Sequence, residues 1–181
     1  MDNNKIKIVD DCVSLQYQNF LLQELHAPSL TWTFLIDVTA NTEYKNPGFV
    51  NTAYKDGSIT STAYWFLYPV LLEACNKAEC SLEKLLRIRN GIYLNRDTTK
   101  PNLPHVDADS SHLVGLYYPD NFDGDTIFYT DSTGTTELAR ITPKKGRMVL
   151  FDGAIYHASS NPVHSNYRTT VNFNFLGVLK S

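Results

Sequence analysis

The chain has 181 residues, enough for one domain with a sizeable core, and 43% are hydrophobic against 19% charged, which excludes a disordered polar tract. Sixteen Lys and Arg against nineteen Asp and Glu give a net charge of −3, and no basic tract offers the electrostatic footprint of a nucleic-acid binder. Cys12, Cys75 and Cys80 are odd in number and lack metal-knuckle spacing, so the expectation is no disulfide framework and a reducing, cytoplasmic setting. The polar start Met1-Asp2-Asn3-Asn4 and the lack of an apolar run of about 18 residues give no sign of a signal peptide or membrane span.

Lys5–Val9 alternates and predicts a short strand. Asp10 or Asp11 is placed to cap a helix whose apolar side is Val13, Tyr17, Phe20, Leu21 and Leu25, with Pro28 ending it. Leu30–Asp37 reads as a strand. Residues 38–60 are rich in Asn, Thr, Gly and Pro, and so form either a lid or binding loop or a solvated loop with a small hairpin. Ser61–Lys77 is helical in character, with Pro69 expected to start or kink the helix. Ser81–Leu86 reads as a helical turn. The apolar period then changes from 3.6 to 2. Leu86–Asn95, His112–Tyr118, Thr126–Thr130, Glu137–Ile141, Arg147–Phe151 and Arg168–Val178 read as strands between turns rich in Asn, Asp, Gly and Pro. The expected fold is α+β, mainly β. It is a sandwich or jelly roll of antiparallel strands over residues 86–178, with residues 1–85 as helical support and the possible lid, all in one domain spanning 1–181.

Two histidines and an aspartate stand out in this framework. His105 and Asp107 are two residues apart, and on an extended strand such residues share a face, whereas a helix would splay them about 200° apart. Pro104 favours the extended form. His157 follows the strand Arg147–Phe151, and Arg168 opens the last strand. Two imidazoles and a carboxylate are the donor set of non-haem Fe(II) sites, and an arginine eleven residues beyond the last ligand can hold a carboxylate-bearing co-substrate. In the last strand Arg168, Thr170, Asn172 and Asn174 share one face, and Thr169, Val171, Phe173 and Phe175 the other. The polar face lines an interior that holds charged occupants, or it lies on a solvated edge.

These pieces, in order, resemble the Fe(II)/2-oxoglutarate-dependent oxygenases, in particular their prolyl 4-hydroxylase-like branch. The likeness runs from Arg87 to Phe175, about half the chain, through I-R-N-G-I-Y-L-N, H-V-D, Y-Y-P-D, D-G-D-T-I-F, P-K-K-G-R-M-V-L-F, His157 and Arg168. It implies a double-stranded β-helix braced by helices. It also implies that His105, Asp107 and His157 bind Fe(II) and that Arg168 pairs with the distal carboxylate of 2-oxoglutarate. Tyr93, Tyr118 and Thr126, with Asn95 on the same face as Tyr93, match positions near the co-substrate. The implied reaction uses O2 to hydroxylate an unactivated C–H, releasing succinate and CO2, with a protein, peptide or amino-acid substrate and peptidyl proline first among them. Tyr44, Tyr54, Tyr129 and Tyr156 are candidate rim contacts. Asp152 and His164 are titratable neighbours for which this chemistry has no use.

The chain also departs from its relatives. It has Arg168 where collagen-type enzymes carry lysine, and Asp123-Gly124 where Gly-Gly is usual. A second arginine on the final strand, used by nucleic-acid dealkylases, is missing. Asp107 stands where halogenating relatives have a small residue. Two other readings fit the β pattern: a non-enzymatic jelly-roll binding or virion structural module, and a cupin-type metalloenzyme without 2-oxoglutarate.

Overall fold

A computed structural model describes residues 6–39, 45–98 and 100–180. In chain order its elements are β1 (Ile6–Val9), α1 (Leu15–Leu25), β2 (Thr33–Leu35), β3 (Gly48–Lys55), β4 (Ser58–Ile59), α2 (Ala63–Ala78) and β5 (Lys84–Leu94). They continue with β6 (Leu113–Tyr118), β7 (Thr126–Tyr129), β8 (Glu137–Ile141), β9 (Arg147–Asp152), β10 (Tyr156–Ser159) and β11 (Tyr167–Leu176). The larger sheet runs β1-β9-β6-β11-β5-β3-β2, with β4 paired to β3; the smaller is β10-β7-β8. Together they form the expected jelly roll with N-terminal helices behind it. The larger sheet also takes in β1 to β4, so it draws on the segment before residue 86 as well as after it.

Two apolar layers hold the sheets. On the helix side, Leu21 and Leu25 of α1 and Leu67, Leu71 and Ala74 of α2 pack on Tyr117, Leu150, Val171, Phe173 and Phe175. Between the sheets, Val114, Leu116, Tyr118, Val149 and Phe151 meet Phe128 and Ile141. β6 serves both layers through alternate residues, which is why all six of its positions are buried.

Several local expectations change. Ser14, not an aspartate, caps α1, its hydroxyl accepting from the Tyr17 N–H at 3.3 Å. Asp10 instead pairs with Arg147 at 2.6 Å and Lys144 at 3.0 Å. The Arg147 hydrogen bond, set against the cost of burial, holds its carboxyl down at about 2. The strand expected over Leu30–Asp37 shrinks to β2 at the sheet edge. α2 runs through Pro69. The carbonyl left without its N–H partner is that of Trp65, which is 68% exposed, so water is at hand to pair it. The turn expected at Ser81–Leu86 is extended, because the N–H groups of Ser81 and Glu83 bond to the carbonyls of Val178 and Leu176.

Most of residues 45–60 is the β3–β4 hairpin, and β3 pairs along β5. Its Asn51 is buried and satisfied: the side chain donates to Thr31 and Ser61 and accepts from Asn90 at 3.0 Å. The lid expectation therefore narrows to residues 38–47, of which 40–44, with Tyr44, lie outside the described residues; Val38 and Thr39 line the cavity described next.

Candidate metal centre

β10 and the segment after Pro104 bring the two histidines together. The backbone N–H of His105 donates to the carbonyl of His157 and the reverse, both at 3.0 Å. Their ring centroids are 4.7 Å apart. Asp107 completes the group, and one ligand atom from each of His105, Asp107 and His157 lies within 4.8 Å of the others. His105 is exposed and His157 buried, so the cluster sits at the wall of an opening.

The protonation states suit a cation. In each ring Nδ1 faces a backbone carbonyl two residues earlier, Leu103 at 3.3 Å and Ile155 at 3.2 Å. A carbonyl only accepts, so Nδ1 carries a proton in each ring, and Nε2 is the nitrogen left to face a cation. Burial against Phe151 and Phe128, then repulsion from His105, pushes the His157 imidazole down to about 4, leaving it neutral near pH 7. Burial opposes ionisation of Asp107, but His157, which is charged only in the acid range where this carboxyl titrates, Arg87 and two amides outweigh it and hold the carboxyl well below the usual range. The amides are those of Asn174 and Asn172 on β11, donating to Asp107 Oδ2 at 2.9 and 2.8 Å; Arg87 lies 3.3 Å from Oδ1.

These donors fix the carboxylate in place. Asn174→Ala is expected to lower the cluster's affinity for a divalent metal ion about 10- to 100-fold, the usual effect of losing a partner that orients a ligand. A chelator-competition titration reads this, and a change under about threefold would show that Asn174 does not orient the ligand.

Across the cavity, Arg168 is 1% exposed. Its Nη1 donates to the Ser160 carbonyl at 3.2 Å and its Nη2 to Thr126 Oγ1 at 2.8 Å. Its Nε has no partner, and no carboxylate pairs with the guanidinium among the described residues. Tyr93 and Tyr118 flank it, with ring centroids 5.8 and 5.6 Å from Cζ. Tyr118 also donates to Thr126 Oγ1 at 2.8 Å. The cavity holds about 220 Å³ and is lined by Tyr93, Thr126, Arg168 and all three members of the cluster. Tyr118 sits behind Thr126 rather than on the wall.

Asn95 is exposed, donates to the Ser165 carbonyl at 2.9 Å and does not line the cavity. Neither do Asp152, which caps the turn at Ala154, nor His164. Of the rim aromatics, Tyr54 stacks on Tyr64 beside the helix-side core and Tyr129 is buried in the smaller sheet.

The Asp123-Gly124 departure has a local reason. Asp123 accepts the N–H groups of Val163, His164 and Ser165 at 2.6 to 2.9 Å, fixing the loop that leads to Arg168. Gly124 has φ +94°, and a Cβ there would lie 2.7 Å from the Ser160 carbonyl oxygen, so glycine is required.

Sequence reasoning missed a buried network of three asparagines. Asn46 donates to Asn102 and Asn161 at 3.2 and 3.0 Å, and Asn161 returns a bond to Asn46 at 2.9 Å. Asn102 also donates to Ser159. The network ties the segments leading to His105 and Arg168 to the start of β3. No sequence pattern marks it, since its members are 56 or more positions apart.

No protein-family model matches the chain, and no curated protein matches it in sequence. Solved structures do share its fold. An oxidoreductase of the 2OG-Fe(II) oxygenase family from Burkholderia pseudomallei superposes with a TM-score of 0.70 at 13% identity, covering 96% of this chain and 85% of its own. A prolyl hydroxylase from Trichoplax adhaerens, in complex with a hypoxia inducible factor peptide fragment, gives 0.64 at 13% identity over 96% and 84%. HygX from Streptomyces hygroscopicus, with nickel and 2-oxoglutarate bound, gives 0.62 at 9% identity over 94% and 82%. The fold is that of the Fe(II)/2-oxoglutarate oxygenases, in the form shared with prolyl hydroxylases.

Proposed function

We propose that the chain is an Fe(II)- and 2-oxoglutarate-dependent dioxygenase. It hydroxylates an unactivated C–H, with a peptidyl proline or another amino-acid side chain or free amino acid as substrate. One observation carries this: a single cavity with a His-Asp-His cluster on one wall and a fully buried guanidinium on the other that lacks a carboxylate partner among the described residues.

A buried charge is costly unless paired. The residues present fit the implied groups. His105, Asp107 and His157 would hold iron through two imidazole Nε2 atoms and an ionised carboxylate. Arg168 would take the distal carboxylate of 2-oxoglutarate, with its free Nε as a further donor and Tyr93 and Thr126 beside it. When bound, iron and 2-oxoglutarate together supply the oxidant from O2, with succinate and CO2 as products. The protein's own part is to fix the ligands, orient the co-substrate and close off one face with Phe128 and Phe151.

The buried Arg168 favours this reading over the alternatives. A cupin-type site without 2-oxoglutarate, or a binding module, would leave Arg168 buried with no anion to meet it. The neighbours support the substrate class broadly, since one is in complex with a peptide fragment and a further HygX structure has hygromycin B bound. No described helix is long and apolar enough to cross a membrane.

Thermal unfolding tests the proposal. At a hundredfold excess over its dissociation constant, 2-oxoglutarate should stabilise the metal-loaded protein by about 2.7 kcal/mol, or several degrees in a domain of this size. Bound metal with no shift on adding 2-oxoglutarate would overturn it.

A further inference from the structure

β5 presents Arg87, Arg89, Gly91 and Tyr93 to the cavity, every second residue on one face. Their register partners on β11 are Asn174, Asn172, Thr170 and Arg168. The cavity therefore runs along these two strands. Arg168 and Tyr93 are at one end. Arg89 and Arg87 lie toward the other, about 13 and 20 Å away for four and six residues at about 3.3 Å each. Asp107, held by Asn172 and Asn174, belongs to the second end. Gly91 keeps the floor between them low, since a Cβ there would lie 3.1 Å from the Tyr93 ring.

The cationic groups differ in their partners. Arg87 is paired with Asp107 at 3.3 Å and also donates to Asn172 at 3.4 Å. Arg89 is partly buried, and its side chain makes no hydrogen bond, ion pair or ring contact among the described residues. Three guanidiniums against one carboxylate leave the lining with two positive charges. Iron and 2-oxoglutarate carry equal and opposite charges, so loading the site as proposed does not remove this excess. The distal carboxylate answers Arg168. Arg89 still has no partner among the described residues, and a planar fork of donors in a cavity is suited to a carboxylate.

We infer that Arg89 is a specificity residue that binds a carboxylate of the primary substrate, which makes that substrate an acid rather than a neutral side chain. This rests on the proposed function for the role of the cavity. The carboxylate belongs to a free amino acid or to an acidic residue of a peptide.

The test uses protein labelled with ¹⁵N-arginine and loaded with Zn(II), a diamagnetic stand-in, and 2-oxoglutarate. The Nε–Hε resonances of Arg89 and Arg168, assigned with Arg89→Gln and Arg168→Gln, are followed during titration with acetate. Acetamide and chloride at matched ionic strength are the controls. The expected result is a saturable shift of the Arg89 resonance with acetate alone, and at least tenfold weaker acetate binding in Arg89→Gln. An Arg89 resonance that follows acetate no more than chloride would overturn the inference. If the Arg168 resonance ignores 2-oxoglutarate, the proposed function fails. The acetate titration on the Zn(II) protein still reads Arg89 separately. Further titrations with L-proline and acetyl-Asp-Pro-amide tell the two sources apart, the stronger Arg89 response marking a free amino acid or an acidic peptide.

Discussion

Arg168→Ala is expected to fold like the parent and to bind 2-oxoglutarate at least about thirtyfold more weakly. The side chain is 1% exposed and is held in place by Ser160 and Thr126, so its fork is already aimed before a ligand arrives. Truncating one partner of a buried, hydrogen-bonded charge pair costs about 2–5 kcal/mol, which is a factor of roughly 30 to several thousand in affinity. The fold tolerates the change because it removes a buried cation that has no carboxylate partner among the described residues, and the relief offsets part of the lost packing. Calorimetric titration of the metal-loaded variant, with circular dichroism as the check on folding, reads the effect. A folded Arg168→Ala protein with affinity within threefold of the parent would show that the co-substrate is held elsewhere.

Asp107→Ala and His157→Ala are each expected to lose the stoichiometric Fe(II) of the proposed site. Three donors within 4.8 Å form the whole cluster of possible ligands among the described residues, so losing one leaves two. The two variants differ in stability. Asp107→Ala takes the acceptor from the amides of buried Asn174 and half-buried Asn172 and the ion pair from Arg87, and a buried donor without a partner costs about 1–3 kcal/mol. His157→Ala keeps the backbone bridge to His105 and loses ring packing on Phe151. Metal analysis after anaerobic reconstitution checks both, and retention of one Fe(II) per chain in both would rule out this ligand set.

How much of this the sequence makes legible depends on whether a residue's partner is local. β11 is readable from its alternation: Val171, Phe173 and Phe175 enter the helix-side core, and Arg168, Thr170 and Asn172 line the cavity. The same period of two puts His105 and Asp107 on one side. β3 is harder to read because its buried Asn51 looks solvated until Asn90 is seen to pair with it. β10 has only four residues, Tyr-His-Ala-Ser, too few for a period to emerge, yet it carries His157. At Ser81–Leu86 a helical local pattern loses to pairing with Val178 and Leu176 near the other end of the chain. The asparagine network and the unpaired state of Arg89 are tertiary facts. Sequence places Arg89 on a face with Tyr93, but only the packed sheet shows that no described residue answers its charge.

An anaerobic titration of the metal-free protein, first with Fe(II) and then with 2-oxoglutarate, brings both halves of the cavity into one experiment. The signal is the weak visible band that a keto acid gives on chelating ferrous iron. The band is expected to grow to saturation at one equivalent in the parent and to be missing in His157→Ala. Stoichiometric iron without the band would contradict the role given to Arg168, and failure to bind iron would contradict the metal centre itself.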